Sequence, residues 1–400
     1  MSRGLKDKRV FVAGASGFIG NRLCECLTRA YGVEVHALVR RVGTVGVARL
    51  ARLPRVRLFA GDIRDADLVR KASDGCAHII HAALATTGSR REQQAETIAG
   101  IRNVLEAAAH YRVESVVYFS TASVHNPARS TEVINEESPL NGAFPASIKV
   151  RAETLVAEWR RRSGVPVTVL RPTCVWGPFS PVWTVSAVEL IQKGVPLLPP
   201  EGTGTANLVY VDNLVDAAIL ALVRREAANQ AFLINDDEPR AWPDLYGAYA
   251  DLVGRPLEFV TDSREIRQIV RVSLRNAGVI LRKVVASESK VDLRTLRQIY
   301  DHVPIVKLLL SRLPAPVQER LRMHVGEREA AGEALTATGL GTSGLLPYGV
   351  MARSARELYC ARARYANLKA KQVLEWRPRV AFDRALELTC QWLRYAGYAK

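Results

Sequence analysis

The glycine-rich turn between the first apolar run and the first helix constrains this chain more than any other feature. Residues 10–13 are typical of a buried parallel strand, and residues 21–31 are predicted to form the helix that follows. Gly14, Gly17 and Gly20 lie between them, at a spacing that permits a tight turn, close approach of the backbone to a pyrophosphate, and packing of helix on strand. Because a helix N-terminus offers free N–H groups to phosphates, the sequence predicts a dinucleotide site here. Its other contacts are predicted to come from Ser16, Phe18 and Ile19.

The end of the second predicted strand bears on which dinucleotide is bound. This strand, residues 34–39, is followed by Arg40 and Arg41. An NAD site places an Asp or Glu about 20 residues beyond the glycines, where it binds the ribose hydroxyls. A carboxylate would repel a 2′-phosphate, whereas a guanidinium binds it through two parallel charged hydrogen bonds. The arginines therefore predict that NADP(H) is preferred and NAD(H) is possible, with one of the two serving only as a solvated loop charge.

Further apolar runs arrive at the spacing of alternating strands and helices. Residues 56–60, 77–83, 116–120 and 165–170 are predicted strands, and residues 103–109 belong to a predicted helix. Strands that alternate with helices imply right-handed crossovers and a doubly wound parallel sheet. The predicted fold class is therefore α/β, of the Rossmann type.

Several motifs follow one another in an order that is more specific than any one of them. They are the glycine turn 14–20, Gly61-Asp62-Ile63, His81-Ala82-Ala83, residues 120–124, Lys149 with Glu153, residues 171–178, residues 210–213, and residues 374–378 with 392–394. With them the chain resembles an extended short-chain dehydrogenase/reductase of the NAD-dependent epimerase/dehydratase family, over roughly residues 8–260 and 360–395. The resemblance implies an NADP(H)-binding Rossmann domain at 1–170 and a smaller C-terminal substrate-binding lobe at 171–400, together forming one compact unit.

The resemblance also implies which residues surround the cofactor. Asp62 and Ile63 match the adenine position, where the carboxylate accepts from the amino group. Ala82 and Ala83 match the lining beside the nicotinamide, and Thr97 falls where the family often has a cofactor-facing Asn. The loop over the nicotinamide matches Pro172, Thr173 and Val175.

The catalytic residues match only in part. Thr121 matches the residue that hydrogen-bonds the reacting oxygen of the substrate, and Lys149 matches the lysine that holds the nicotinamide ribose. The family's tyrosine, four residues before that lysine, would align with Pro145, or with Phe144 after a slip of one residue. No tyrosine occurs between Tyr118 and Tyr210. A positioned proton donor contributes about 10²–10⁴ in rate, so its absence has to be explained.

Three explanations are open: a surrogate acid, chemistry that needs no such acid, or binding without turnover. The surrogate could be His125, Ser147 or water, and His125 is preferred because its pKa is ordinarily near neutral. The first predicted function is an oxidoreductase, epimerase or dehydratase acting on a hydroxylated substrate, a nucleotide sugar or a specialised-metabolite intermediate. The second is an NADP-binding sensor or scaffold without redox turnover, or a lyase or cyclase that uses the same pocket.

Residues 262–349 fall outside the resemblance and are predicted to be a basic helical insertion and loop, followed by a closing segment at 350–400. Arg264 to Arg282 form a basic amphipathic stretch, which we expect to cover the substrate entrance or a protomer contact in a homodimer rather than to bind lipid.

The net charge of +16 comes without a nucleic-acid-binding motif, so no nucleic acid partner is predicted. No apolar run reaches the length of a membrane span, and the charged residues 1–9 do not resemble a signal peptide, so a cytoplasmic protein is expected. The cysteines show no Cys-x-x-Cys pair or His cluster, and no metal site is predicted.

Overall fold

The computed structural model describes residues 4–86, 89–126, 133–143, 145–259 and 357–399. Phe144 and the predicted insertion at 262–349, with its basic stretch at 264–282, lie outside the described residues. The described strands are β1 (Arg9–Ala13), β2 (Glu34–Val39), β3 (Val56–Ala60), β4 (His78–His81), β5 (Ser115–Phe119), β6 (Val133–Ile134), β7 (Val167–Pro172), β8 (Cys174–Trp176), β9 (Thr205–Ala206), β10 (Leu208–Tyr210), β11 (Ala231–Ile234), β12 (Arg240–Ala241) and β13 (Arg364–Tyr365). The described helices are α1 (Phe18–Tyr31), α2 (Val45–Leu50), α3 (Ala66–Ser73), α4 (Arg90–His110), α5 (Ala146–Ser163), α6 (Ala187–Gln192), α7 (Val211–Val223), α8 (Trp242–Val253), α9 (Leu368–Val373) and α10 (Phe382–Tyr395).

Seven parallel strands form the central sheet, in the spatial order β3-β2-β1-β4-β5-β7-β11. Every residue of β4, β5 and β7 is buried, as expected for strands covered on both faces. β1 lies between β2 and β4, so the order of the strands reverses at the boundary of β1 and β4. The predicted α/β class with a doubly wound parallel sheet is confirmed.

Helices cover both faces of this sheet. On one face α1, α2 and α7 contribute Leu23, Leu50 and Leu214 to one core cluster. On the other face α3, α4 and α5 bury residues such as Val69 and Ile101 in a second cluster. Because apolar side chains of α1 recur at Leu23 and Leu27, one turn apart, that helix presents a continuous stripe to the sheet.

The smaller lobe has an aromatic core of its own. Trp176, Trp242, Tyr246, Tyr249 and Phe382 belong to one buried cluster there. Two strand pairs support the cluster, β8 with β10 in parallel and β9 with β12 in antiparallel orientation. The C-terminal α10 packs against the same cluster, so the closing segment builds this lobe together with residues 174–211 and 240–253.

The chain returns to the central sheet after residue 170. β11 is the seventh strand of the sheet, and α7 packs on α1. Asn213 of α7 is fully buried, and its side-chain oxygen Oδ1 accepts from the backbone N–H groups of Arg379 and Val380, both at 3.0 Å. Its backbone carbonyl oxygen accepts from Trp376 Nε1 at 2.9 Å. The sheet therefore takes its last strand from beyond residue 170, the predicted boundary between the two domains. That boundary divides the sequence but not the sheet, and it stays a prediction.

Candidate functional site

The glycine turn lies at the point where the strand order reverses, which is the usual ligand crevice of such a sheet. Gly14 has a φ of 84°, and a Cβ built on it would lie 2.7 Å from the backbone nitrogen of Ala83. A Cβ on Gly20 would lie only 2.2 Å from the carbonyl oxygen of Gly14. The predicted residues Gly14 and Ala82-Ala83 are thus in direct contact, and the backbone forms a cradle that side chains would fill.

The N-terminus of α1 faces this cradle, and no side chain there offsets the positive end of the helix dipole. Gly17 is the N-cap and supplies no side chain, and the first turn contains no acidic residue. The free N–H groups and the positive end of the helix dipole are therefore available to an anion. A dinucleotide pyrophosphate fits a cradle of this kind, with Ser16, Phe18 and Ile19 around it.

A positively charged edge flanks the cradle on the side of β2 and β3. Arg40 and Arg41 are exposed after β2. After β3, both carboxylate oxygens of Asp62 accept hydrogen bonds from Arg64, from Nε at 3.0 Å and from Nη2 at 2.8 Å. These bonds lower the pKa of Asp62, and the charge of Arg40 lowers it further. The predicted adenine contact is thus already paired with an arginine that the sequence did not indicate.

Ile63 and Thr97 form hydrogen bonds that hold two loops close to the cradle. The carbonyl oxygen of Ile63 accepts from Asn103 Nδ2 at 3.0 Å, which holds the turn after β3 against α4. Thr97 is buried and its Oγ1 accepts from the N–H of Ala85 at 3.4 Å, which holds the loop that follows Ala82-Ala83.

Six of the predicted residues meet in one cavity of about 230 Å³. They are Phe18, Ile19, Thr121, Pro172, Thr173 and Val175. Five residues that sequence reasoning missed complete the lining: Ser120, Ser180, Pro181, Val182 and Trp183. The last three lie in a π-helical segment, Pro181–Ser186, a rare conformation that recurs at functional sites. Because this conformation depends on tertiary packing, only the apolar run after Gly177-Pro178 was visible as a signal in the sequence.

Thr121 lines the cavity, whereas Lys149 is buried beside the end of β5 and is not among the lining residues. Thr121 caps the 3₁₀ turn Ala122–His125, and its Oγ1 accepts from the N–H of Ser123 at 3.2 Å, so the hydroxyl hydrogen can be donated into the cavity. Lys149 is 7 % exposed, and its Nζ donates to the carbonyl oxygen of Phe119 at 2.6 Å. Burial lowers the pKa of Lys149 to about 8.

The position four residues before Lys149 lies at the start of the same helix, α5. Pro145 is the N-cap of α5, and it lies one helical turn before Lys149. Residues four apart on a helix share a face, so a side chain at position 145 would lie beside the lysine. The pyrrolidine of Pro145 is exposed there and cannot transfer a proton.

A buried charge network lies behind Ser120. Ser120 Oγ donates to Glu153 Oε1, and Glu153 forms an ion pair with Arg171, whose Nη2 lies 2.6 Å from Oε2. Arg171 Nη1 also contacts His125 Nε2 at 3.2 Å, and His125 Nδ1 contacts the carbonyl oxygen of Ser138 at 2.9 Å. All three charged or ionisable partners are almost completely buried.

These contacts determine the state of His125. A carbonyl oxygen only accepts and a guanidinium only donates, so Nδ1 carries the hydrogen and Nε2 accepts from Arg171. Burial, and next the charge of Arg171, lower the pKa of His125, which keeps the ring neutral. This arrangement does not favour the predicted proton relay, because both nitrogens are engaged away from the cavity. It instead makes His125 a support for Arg171.

The described residues contain neither a metal centre nor a membrane-spanning helix. No group of three His, Cys, Asp or Glu side chains there is arranged to hold a metal ion. Within the same residues, no helix combines the length and the apolar character needed to cross a membrane.

The parallel sheet, the glycine cradle at its switch point and the adjoining cavity define a protein of the Rossmann-type dinucleotide-binding class. The sequence profile of the NAD-dependent epimerase/dehydratase family matches residues 10–235. The chain belongs to this family.

Curated relatives and solved structures agree with that membership. The chain is 27 % identical over 252 residues to a 2-alkyl-3-oxoalkanoate reductase of Shewanella oneidensis, covering 58 % of this chain and 63 % of that one. It is 29 % identical over 250 residues to a 3β-hydroxysteroid dehydrogenase/Δ5→4-isomerase of Mycobacterium tuberculosis, covering 58 % and 65 %. Both matches thus span under two thirds of the relative. The fold resembles UDP-glucuronic acid 4-epimerase of Bacillus cereus in complex with NAD, with a TM-score of 0.64, 15 % identity, and 97 % and 99 % coverage.

Proposed function

We propose that the chain is an NADP(H)-dependent oxidoreductase that interconverts a ketone and a secondary alcohol on a largely apolar substrate. The observation that carries the proposal is the cavity in which Phe18 and Ile19 of the dinucleotide cradle meet Thr121 and the apolar wall of Pro181–Trp183. When bound, the nicotinamide dinucleotide would supply or accept the hydride. The rest of the chemistry falls to the residues of the chain.

Each group in the site has a task that follows from its contacts. The N-terminus of α1 binds the pyrophosphate, and Thr121 donates a hydrogen bond to the reacting oxygen. Lys149, whose Nζ now donates to the carbonyl oxygen of Phe119, would hold the ribose hydroxyls of the dinucleotide, and its charge would favour an anionic oxygen. Val182 and Trp183 form an apolar part of the lining, which would contact the apolar body of the substrate.

The apolar wall also supports the proposed class of substrate. Trp183 packs on Trp242, with ring centroids 5.2 Å apart, so this wall continues into the aromatic core of the smaller lobe. The two curated relatives are named for alkyl oxoalkanoates and hydroxysteroids, which pair a keto or hydroxyl group with a large apolar body. A nucleotide sugar, one of the two substrate classes expected from the sequence, is supported by fold likeness alone and becomes the comparison in the test.

Binding without redox turnover is the second candidate. The observation that favours it is Pro145, which leaves the face of α5 beside Lys149 without a proton donor. Under this alternative the cradle would still bind the dinucleotide. The two candidates therefore differ only in whether a substrate changes the redox state of the bound dinucleotide.

The experiment that decides between them monitors the near-ultraviolet absorbance of NADPH bound to the full chain. A 2-alkyl-3-oxoalkanoate is added with NADPH, and a 3β-hydroxysteroid and UDP-glucuronic acid are each added with NADP⁺. We expect the alkyl or steroid compound to change the absorbance, and the sugar nucleotide to change neither the absorbance nor its own configuration at C4. The recovered sugar is analysed because an epimerisation restores the cofactor and leaves the absorbance unchanged. Dinucleotide binding with no response to any compound would favour the non-redox candidate.

A double substitution of Arg40 and Arg41 to serine tests the choice of cofactor. We expect NADPH to bind about tenfold to a hundredfold more weakly and NADH to bind unchanged, since only a 2′-phosphate uses charged hydrogen bonds there. Titration by cofactor fluorescence measures both affinities, and Arg52→Ser, at an exposed arginine further along the chain, is the control. Equal weakening of both cofactors would show that the arginines act only through general charge.

The pKa of Lys149 predicts how cofactor affinity depends on pH. This pKa is about 8, below the ordinary value, because burial disfavours the charged form. The ammonium group is therefore present below pH 8 and lost above it, so the affinity for NADPH should fall as the pH rises through that value. A Lys149→Arg variant keeps its charge and should lose this dependence, and Lys149→Met should bind weakly throughout. A flat profile in the unmodified protein would contradict the assignment.

A further inference from the structure

A contact between Arg49 and Phe179 joins the two sides of the dinucleotide cradle. The guanidinium carbon of Arg49 lies 3.7 Å from the centroid of the Phe179 ring. Arg49 belongs to α2, which follows the turn of Arg40 and Arg41, whereas Phe179 follows β8 in the smaller lobe. The site as described so far gives this contact no task.

The Arg49 side of the contact is fixed against the glycine turn. A Cβ on Gly46 of α2 would lie 2.1 Å from the carbonyl oxygen of Ser16, so the two backbones touch. Asn21 Nδ2 of α1 donates to the carbonyl oxygen of Gly46 at 2.7 Å. Arg49 itself is held by Glu25 of α1, with Nη2 and Oε1 at 2.6 Å. These contacts place the guanidinium rigidly beside the cradle.

The Phe179 side is fixed against the smaller lobe. Phe179 has a φ of 68°, a left-handed conformation that a bulky residue adopts only when its surroundings enforce it. Its ring packs on Trp392 of α10, with centroids 4.5 Å apart. The next residue, Ser180, begins the segment that lines the cavity, and its Oγ donates to the carbonyl oxygen of Val175 at 3.0 Å.

We infer that Arg49 and Phe179 form a clasp that controls the release of the dinucleotide, with Arg49 as a positioning residue. The inference rests on the proposed binding of NADP(H). A dinucleotide that runs from Arg40 and Arg41 to the cavity passes the glycine turn, and that turn lies between α2 and the segment after Phe179. Because the clasp joins these two flanks, the dinucleotide leaves only when the guanidinium and the ring separate.

The test measures the rate at which bound NADPH leaves the full chain when it is displaced by excess NADP⁺ in a stopped-flow fluorimeter. The variants are Arg49→Ala, Arg49→Lys and Phe179→Gly, with Arg52→Ala as the control at an exposed arginine close by. Glycine adopts a φ of 68° without strain, so Phe179→Gly removes the ring and leaves the loop conformation accessible. Thermal unfolding is recorded for each variant.

We expect Arg49→Ala and Phe179→Gly each to speed release about threefold to thirtyfold, the range that a cation–π contact corresponds to. The double variant should be no faster than the faster single one, because both remove the same contact. Arg49→Lys should lie between Arg49→Ala and the unmodified protein, and Arg52→Ala should release at the unmodified rate.

Unchanged release in both Arg49→Ala and Phe179→Gly would overturn the clasp, as would additive effects in the double variant. A lower unfolding temperature with unchanged release would show a structural role only and would also overturn it. If the unmodified chain binds no dinucleotide at all, the proposed function fails first and the clasp fails with it. Normal binding with unchanged release refutes the clasp alone.

Discussion

Replacing Gly14 with alanine is expected to abolish detectable NADPH binding and to destabilise the fold by several kcal/mol. The new Cβ would lie 2.7 Å from the nitrogen of Ala83, a backbone atom that cannot turn aside as a flexible side chain can. It would also force alanine into a φ of 84°, a left-handed conformation that costs about 1–2 kcal/mol in a residue with a Cβ. Urea unfolding and a fluorescence titration with NADPH measure the two effects.

Gly32 offers a matched control for this substitution. It has a φ of 65° at the end of α1, and nothing lies within 4 Å of the Cβ that alanine would add. Gly32→Ala should therefore show only the conformational cost, about 1 kcal/mol, and keep its cofactor affinity. Similar losses in both variants would mean that backbone conformation, rather than the contact with Ala83, makes glycine necessary at position 14.

Replacing Glu153 with alanine is expected to cost about 3–5 kcal/mol of unfolding free energy, because it leaves a buried arginine without its partner. Arg171 is 6 % exposed and Glu153 is 7 % exposed, so water replaces the lost carboxylate poorly. The hydroxyl of Ser120, a residue that lines the cavity, loses its acceptor at the same time. Chemical denaturation of the purified variant gives the free energy directly.

A double variant separates the charge from the packing at this position. Glu153→Leu with Arg171→Met removes both charges and retains much of the volume, and it should recover most of the stability lost in Glu153→Ala. Arg171 also contacts His125, so this ring loses a donor in the double variant and the recovery should be incomplete. A double variant as unstable as Glu153→Ala would show that the ion pair itself is not what stabilises this region.

The sheet and the glycine cradle were predictable from the sequence, because both depend on local patterns. Buried parallel strands are continuous apolar runs, and Gly14 is required by the backbone conformation of the turn itself. Six of the eleven residues that line the cavity were also predicted from the sequence. Residues that follow strand ends, such as Thr121 and Thr173, necessarily meet at the carboxyl edge of a parallel sheet.

The partners of individual side chains were not predictable. His125 looked like a proton relay because a histidine in a catalytic loop has a suitable pKa, but its ring is held by Arg171 and Ser138, which lie 46 and 13 residues away in the sequence. The pairing of Arg49 with Phe179 is similar in kind. The first depends on a residue of β7 in the central sheet, and the second on how the two lobes pack. No local pattern in the sequence records either pairing.

The contacts of Asn213 also affect how the polypeptide is made. Its partners at Trp376, Arg379 and Val380 lie 163–167 residues further along the chain, and Trp376 belongs to the core on one face of the sheet. During synthesis the first two hundred or so residues therefore leave the ribosome before the segment that seals this face exists. Until then Asn213 lacks these partners, a period in which chaperone binding would protect the nascent chain from aggregation.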